Sequence, residues 1–191
     1  MKLIYFHGFG SSAASGTIRT LRERLQDFEV IAPDIPVDPA EALPYLKALC
    51  QDEQPDVIAG TSMGGMYAQQ MFGFNRIWVN PAFFMSKEST VLKTGSFEFF
   101  NPRQDGQTQF TITEDIIRHF AEMEEHQFDG VTPAEQERVW GMFGSHDTLV
   151  NCEDSFLQHY HHVIHFDGEH RLDETTINEV LIPLIRQVAT R

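Results

Sequence analysis

Read for apolar and polar positions, the chain alternates short apolar runs with segments whose apolar residues recur every three or four positions. LIYF (3–6) is the first run and ends at His7-Gly8. Over 15–26, Ile18, Leu21 and Leu25 share one face, the spacing of an amphipathic helix. FEVIAPD (28–34) predicts a second strand, stopped by Pro33. Asp38-Pro39 reads as an N-cap followed by a first-turn proline, opening a helix that turns Leu43, Leu46 and Leu49 inward. DVIAG (56–60) predicts the third strand, and Met63, Met66, Tyr67, Met71 and Phe74 mark a face of the helix after it. RIWVNP (76–81), RVWGMFG (138–144) and HHVIHF (161–166) predict three more strands. A last helix runs from about Thr175 to Ala189 on Ile177, Leu181, Leu184 and Val188. Alternating strands and helices build right-handed βαβ units, so the expected fold class is α/β. The expected sheet is mainly parallel and six-stranded, in order 2-1-3-4-5-6, with helices on both faces.

The rhythm breaks at 82–136, a gap between strands far longer than an ordinary crossover. It holds Phe83, Phe84, Phe97, Phe99, Phe100, Phe110, Phe120 and Phe128. One helix is expected in it, at 113–125, with Ile116, Ile117, Phe120 and Met123 on a face. The segment reads as an insertion over one edge of the sheet. It is either a structural excursion with its own small core, or a lid or acyl-pocket wall.

The whole chain of 191 residues fits one domain with this insertion. A formal net charge of −14 repels phosphate backbones and anionic lipid, which argues against nucleic-acid and membrane partners. No apolar run approaches the ~20 residues that span a bilayer, and MKLIYFHGFGSS has no secretory apolar core. Cys50 and Cys152 match neither a disulfide framework nor a zinc pattern, so a reduced, cytoplasmic protein is expected.

Chemistry concentrates in VIAGTSMGGMYA. Gly60-Thr61-Ser62-Met63-Gly64 matches G-x-S-x-G, placed between a strand and a helix. A serine on such a sharp turn projects its hydroxyl from the sheet edge, and side chains two residues either side would clash. A nucleophilic serine needs a base, and the base an orienting acid, in the chain order Ser, acid, His. Asp147 follows the fifth strand and His170 follows the sixth, before the final helix. Strands three and five lie two places apart, ~10 Å at ~4.8 Å per strand, a gap one imidazole bridges. Glu153 and Asp154 compete for the acid, and His161, His162 and His165 for the base. Those three histidines fall within a strand, whose side chains point to the sheet faces. After the first strand, His7-Gly8-Phe9-Gly10 forms a turn beside Ser62, making the N–H groups of Phe9 and Met63 the candidate oxyanion donors. His7 is expected to shape that loop.

HGFGSS, GTSMGG, GSHDTLV and GEHRL, in this order, resemble the α/β-hydrolase superfamily. The short length, the start at the strand leading to His-Gly, the SSAASGT loop and VNPA are similar to the small bacterial YqiA-like esterases. The resemblance covers the chain except 82–136. It implies a serine esterase or thioesterase, with Ser62, Asp147 and His170 as triad and no cofactor or metal. The superfamily's two N-terminal antiparallel strands have no counterpart here. The phenylalanines point to an apolar acyl group and a small-molecule ester, and the acidic surface disfavours a coenzyme A phosphate. Two rival readings remain at this point. One is a non-catalytic binding protein of the same fold. The other is a metal-dependent hydrolase using the histidines of 146–170, although no H-E-x-x-H spacing is present.

Overall fold

The computed structural model describes residues 1–87 and 92–191, so 88–91 of the predicted insertion lie outside the described residues. The first elements are β1 (Lys2–Phe6), α1 (Gly16–Arg24), β2 (Glu29–Ile31), α2 (Pro39–Glu53), β3 (Val57–Thr61), α3 (Met63–Gln69) and β4 (Arg76–Val79). Then follow a 3-10 turn (Met85–Lys87), β5 (Gly95–Glu98), β6 (Gln109–Ile112), α4 (Glu114–His126) and α5 (Pro133–Gln136). The chain closes with β7 (Val139–Gly144), α6 (Glu153–Leu157), β8 (His162–Phe166), α7 (Glu174–Thr176) and α8 (Ile182–Ala189), a π turn (Ile177–Leu181) joining the last two.

The main sheet runs β2-β1-β3-β4-β7-β8, and every pairing in it is parallel. With the separate β5–β6 hairpin set aside, this is the expected order 2-1-3-4-5-6. Strand alternation splits the core. Leu3, Tyr5, Val57, Ala59, Ile77 and Met142 face one side, against Ile18 and Leu21 of α1 and Ile185 and Val188 of α8. Ile4, Phe6, Ile58, Trp78 and Val139 face the other, against Leu46 of α2 and Met66 of α3. Apolar side chains on both faces are what a doubly covered parallel sheet requires.

Three elements depart from expectation. β2 has three residues, not seven: the chain leaves the sheet at Ala32, and Pro33 has no N–H for the ladder. β4 stops at Val79, because Asn80 adopts φ 43° and turns the chain. The last helix starts on an Asp173 cap, whose carboxylate accepts from the Thr176 N–H, and widens into the π turn before Pro183. A proline ring crowds the carbonyl four residues back, and the wider turn relieves it.

The insertion has no separate core among the described residues. Phe83, Phe110 and Phe120 lie in the same buried cluster as Ile4, Phe6 and Trp78. It therefore covers a sheet face rather than an edge. α4 packs on α2, where His119 Nδ1 lies 2.8 Å from the Asp38 carboxylate. Its hairpin pairs Phe97 with Phe110 antiparallel; the long link at 99–108 hides that pairing from any local pattern. At the far end, Glu135 of α5 accepts from the fully buried Arg76 of β4 and, at 2.9 Å, from the Gly73 N–H. Among the described residues no helix is long and apolar enough to cross a membrane.

Candidate active site

Ser62 stands between β3 and α3 at φ 57°, ψ −121°, a conformation that costs a non-glycine residue strain. The surrounding glycines permit it. A Cβ on Gly60 would lie 2.3 Å from the Gly64 carbonyl oxygen, and one on Gly64 would lie 2.1 Å from that of Phe6. Both are deep overlaps with backbone, so the tight approach of α3 to β1 and β3 demands glycine at both places. Ser62 N–H donates to Val79 O at 3.0 Å, and Ser62 O accepts from Gly65, Met66 and Ala82, which holds the turn from both sides.

The structure brings Asp147 and His170 to this serine. His170 Nε2 lies 3.0 Å from Ser62 Oγ, and His170 Nδ1 lies 2.7 Å from Asp147 Oδ2. The other carboxylate oxygen of Asp147 accepts the N–H groups of Leu149 at 2.8 Å and Val150 at 3.0 Å. Three donors thus hold this nearly buried carboxyl in place. An acceptor beside Nδ1 places the ring proton there and leaves the Nε2 lone pair facing Ser62. The competing residues go elsewhere: Glu153 pairs with His165 at 2.7 Å, and Asp154 lies exposed in the first turn of α6.

The loop after β1 passes close by. The Cβ direction of Gly8 points at Ser62 Cβ and Thr61 O, each 3.5 Å away. Among the described residues the N–H groups of Phe9 and Met63 donate to no protein acceptor. Beside both residues is an apolar cavity of about 10 Å³, also lined by Ile35, Val37, Phe99 and Phe110. That volume holds one water-sized group.

His7 sits under this loop. Its Nδ1–H donates to Gly8 O at 2.9 Å, and its Nε2 accepts the Ile35 N–H at 3.0 Å. Both bonds need the neutral ring. Burial pulls its pKa down from the ordinary 6.5 to about 4. A base depressed on folding binds more protons when unfolded, so stability must fall as pH drops from 6.5 towards 4. The loss by pH 4 is expected to be about 3 kcal/mol. Urea midpoints across this range should show it, and His7→Gln should flatten the profile; an equally steep profile in that variant would assign the loss elsewhere.

The sequence places Asn80 in the RIWVNP strand and the VNPA run, with no role of its own. Its side chain is buried, and Nδ2 donates to the carbonyls of Glu169 at 3.0 Å and His170 at 3.1 Å. Its Oδ1 accepts the Gly144 N–H at 2.8 Å. It thus ties the end of β4 to the loops that carry both His170 and Asp147. Its only sequence signal is an asparagine just past a strand, a residue tolerant of positive φ.

Glu137, His161 and His162 could hold a metal ion, since their ligand atoms lie within 4.8 Å of one another. His162 opens β8, so this group lies at the amino-terminal edge of the sheet, opposite the edge where Ser62 ends β3. Of the remaining histidines of that segment, His146 faces Asp167 and His159 stacks on Phe128.

Residues 2–185 match the sequence model of a family described as "Uncharacterised protein family (UPF0227)". Among solved structures the chain is similar to Est1E from Butyrivibrio proteoclasticus, at 15% identity and a TM-score of 0.72 over 100% of this chain and 88% of that one. It is similar to alpha/beta hydrolase domain-containing protein 10 from mouse, at 15% identity and 0.70 over 99% and 89%. The esterase domain from a Rhodothermus marinus protein matches at 18% identity and 0.65 over 97% and 86%. At such identities the likeness establishes the α/β-hydrolase fold.

Proposed function

This chain belongs to the UPF0227 family, and we propose that it is a serine hydrolase cleaving a short-chain carboxylic ester or thioester through an acyl-enzyme. The observation that carries this reading is the continuous relay from Ser62 Oγ through His170 to a fully hydrogen-bonded Asp147. A binding protein has no use for a strained serine aligned on a base. The esterases among the structural neighbours support the same reading.

In the proposed reaction Ser62 Oγ attacks the acyl carbon while its proton passes to His170 Nε2. The carbonyl electron pair moves onto oxygen, and the N–H groups of Phe9 and Met63 receive that charge. Such donors are each worth ~10²–10³ in rate. The intermediate collapses, the bond to the alcohol oxygen or thiol sulfur breaks, and His170 returns its proton to the leaving atom. Water then gives a proton to His170 and attacks the acyl carbon, releasing the acid and restoring Ser62. Asp147 holds the ring in place and stabilises the charge it gains.

The acyl half is small on this reading. The phenylalanines of the insertion pack mainly on one another and on the sheet: Phe99 and Phe97 lie 4.6 and 5.6 Å from Phe110, and Phe9 lies 5.4 Å from it. What they leave beside Phe9 and Met63 takes a methyl group. Across p-nitrophenyl acetate, butyrate and hexanoate, kcat/KM is expected to fall with each added pair of carbons. Phe99→Ala should open the cavity and move the optimum to a longer chain, by about fourfold per methylene newly buried. A profile rising to hexanoate in the unmodified protein would refute the short acyl half.

The hydrolase reading is tested with a fluorophosphonate probe, which reacts with an activated serine whatever the substrate. Labelling at Ser62 is expected in the unmodified protein and absent from Ser62→Ala. An unlabelled protein that also hydrolyses no acetate ester would overturn it.

A further inference from the structure

Two side chains at the mouth of the site have no part in the reaction as derived. Phe100 is 69% exposed, yet it is firmly held. Its N–H donates to Gly10 O at 2.8 Å, and its ring edge comes within 3.0 Å of where a Cβ on Gly10 would stand. Gly10 itself has φ +68°, so the loop that carries Phe9 is shaped to receive this ring. Further bonds stitch the strand of chain on either side: Asn101 Nδ2 donates to Ser11 Oγ at 3.1 Å, and Ser12 Oγ donates to Pro102 O at 2.7 Å. A large apolar ring is thus held out in water by a fixed backbone.

Arg171 follows His170 directly, and its guanidinium carbon lies 5.8 Å from the centre of the Phe100 ring. It is exposed. Among the described residues no carboxylate pairs with it, as is also true of Arg19, Arg22, Lys47, Arg138 and Arg191. Asp173, two residues on, is committed to capping α7. What sets Arg171 apart is its place: a cation one residue from the reacting histidine, in a chain with 28 acidic and 14 basic residues.

The reaction gives this pair a direction. His170 Nε2 hands its proton to the leaving atom, so that atom must come within hydrogen-bond reach of it. The rest of the leaving group then extends past the His170 loop, towards Arg171 and Phe100. The acyl half enters the small cavity beside Phe9 and Met63.

We propose that Arg171 and Phe100 form the leaving-group subsite, and that the alcohol or thiol released carries an anionic carboxylate or phosphate beside an apolar stem. This rests on the hydrolase reading above. The guanidinium supplies the charge-assisted hydrogen bonds, in a planar fork that suits either anion. The ring supplies a platform for the stem. The local cation also qualifies the expectation from overall charge that an anionic substrate is disfavoured: the surface repels anions in general, while this position accepts one.

The test uses three acetate esters of matched size: 3-acetoxybenzoate, 3-acetoxyphenyl phosphate and the neutral 3-acetoxybenzamide. The charged-to-neutral ratio of kcat/KM is measured for the unmodified protein, Arg171→Gln, Arg171→Lys and Arg171→Glu. For at least one anion the ratio is expected to drop about fivefold in Arg171→Gln, the factor of one well-placed exposed charge pair. It should be partly kept in Arg171→Lys and fall lowest in Arg171→Glu. The larger drop identifies carboxylate or phosphate as the anion recognised. Phe100→Ala should lower kcat/KM for all three esters together; an effect on thermal stability alone would remove Phe100 from the subsite. Ratios equal in the unmodified protein and Arg171→Gln for both anions, with Ser62 still labelled by fluorophosphonate, would overturn the subsite alone. Loss of labelling and of all turnover in the unmodified protein would overturn the hydrolase reading beneath it.

Discussion

Ser62→Ala is expected to reduce kcat for acetate esters by at least ~10³-fold, to the level of the uncatalysed reaction aided by oxyanion donors and binding. The variant should fold with an unchanged melting temperature. The backbone at position 62 keeps φ 57° with either side chain, and its bonds to Val79, Gly65, Met66 and Ala82 are made by main-chain atoms. The hydroxyl contributes one hydrogen bond, the 3.0 Å approach to His170 Nε2, on a histidine side chain that is 15% exposed. Initial rates on p-nitrophenyl acetate, with the variant expressed in a host lacking background esterases, measure the loss. Retention of more than a few per cent of activity would exclude Ser62 as nucleophile. On the same reasoning kcat/KM should decline in acid, because a protonated imidazole cannot take the serine proton.

Asn80 is expected to produce the second large effect, without touching substrate. Replacement by alanine leaves the Gly144 N–H and the carbonyls of Glu169 and His170 without the partner that the buried Asn80 side chain supplies, in a part-buried setting. Each stranded group costs ~1–3 kcal/mol. Alanine also tolerates φ 43° less well than asparagine. Asn80→Gly separates the two causes, since glycine accepts the dihedral and still lacks the side chain. If Asn80 positions the reacting groups, Asn80→Gly should lose ~10² in kcat and in its rate of fluorophosphonate labelling, with KM little changed. If its role is structural only, the variant should melt lower while the folded fraction reacts at the normal rate. Asn80→Asp should fare no better than glycine, because a carboxylate cannot donate to the two carbonyls.

The sheet was readable because its information is local. Each strand is a short apolar run bounded by a glycine, a proline or a cap, and each helix shows its own face. Once strands and helices alternate, handedness and connection rules leave few orders, and the order found is the one they select. The boundaries at Ile31 and Val79 were less readable: whether a residue stays in a ladder depends on its neighbour's reach as well as on its own propensity. The hairpin of the insertion was not readable at all, because Phe97 and Phe110 pair across a long link with no tight-turn signature.

The sequence alone determined which residue types could serve a strand-edge reaction: a serine among glycines, then an aspartate and a histidine, each just beyond a later strand. It could do so because the elbow imposes a steric requirement on neighbouring positions, and that requirement is written in them as Gly60 and Gly64. Tertiary structure alone decided the rest. Which oxygen of Asp147 faces His170, which turn Asn80 clamps, and how little space the phenylalanines leave beside Met63 are all contacts between distant segments. So is the meeting of Phe100 with Arg171, 71 positions apart, across the mouth of the site. A side chain's neighbours in sequence say whether it lies on a strand, a helix or a loop. What it touches is set by where the other strands end, and that is known only once the sheet has assembled.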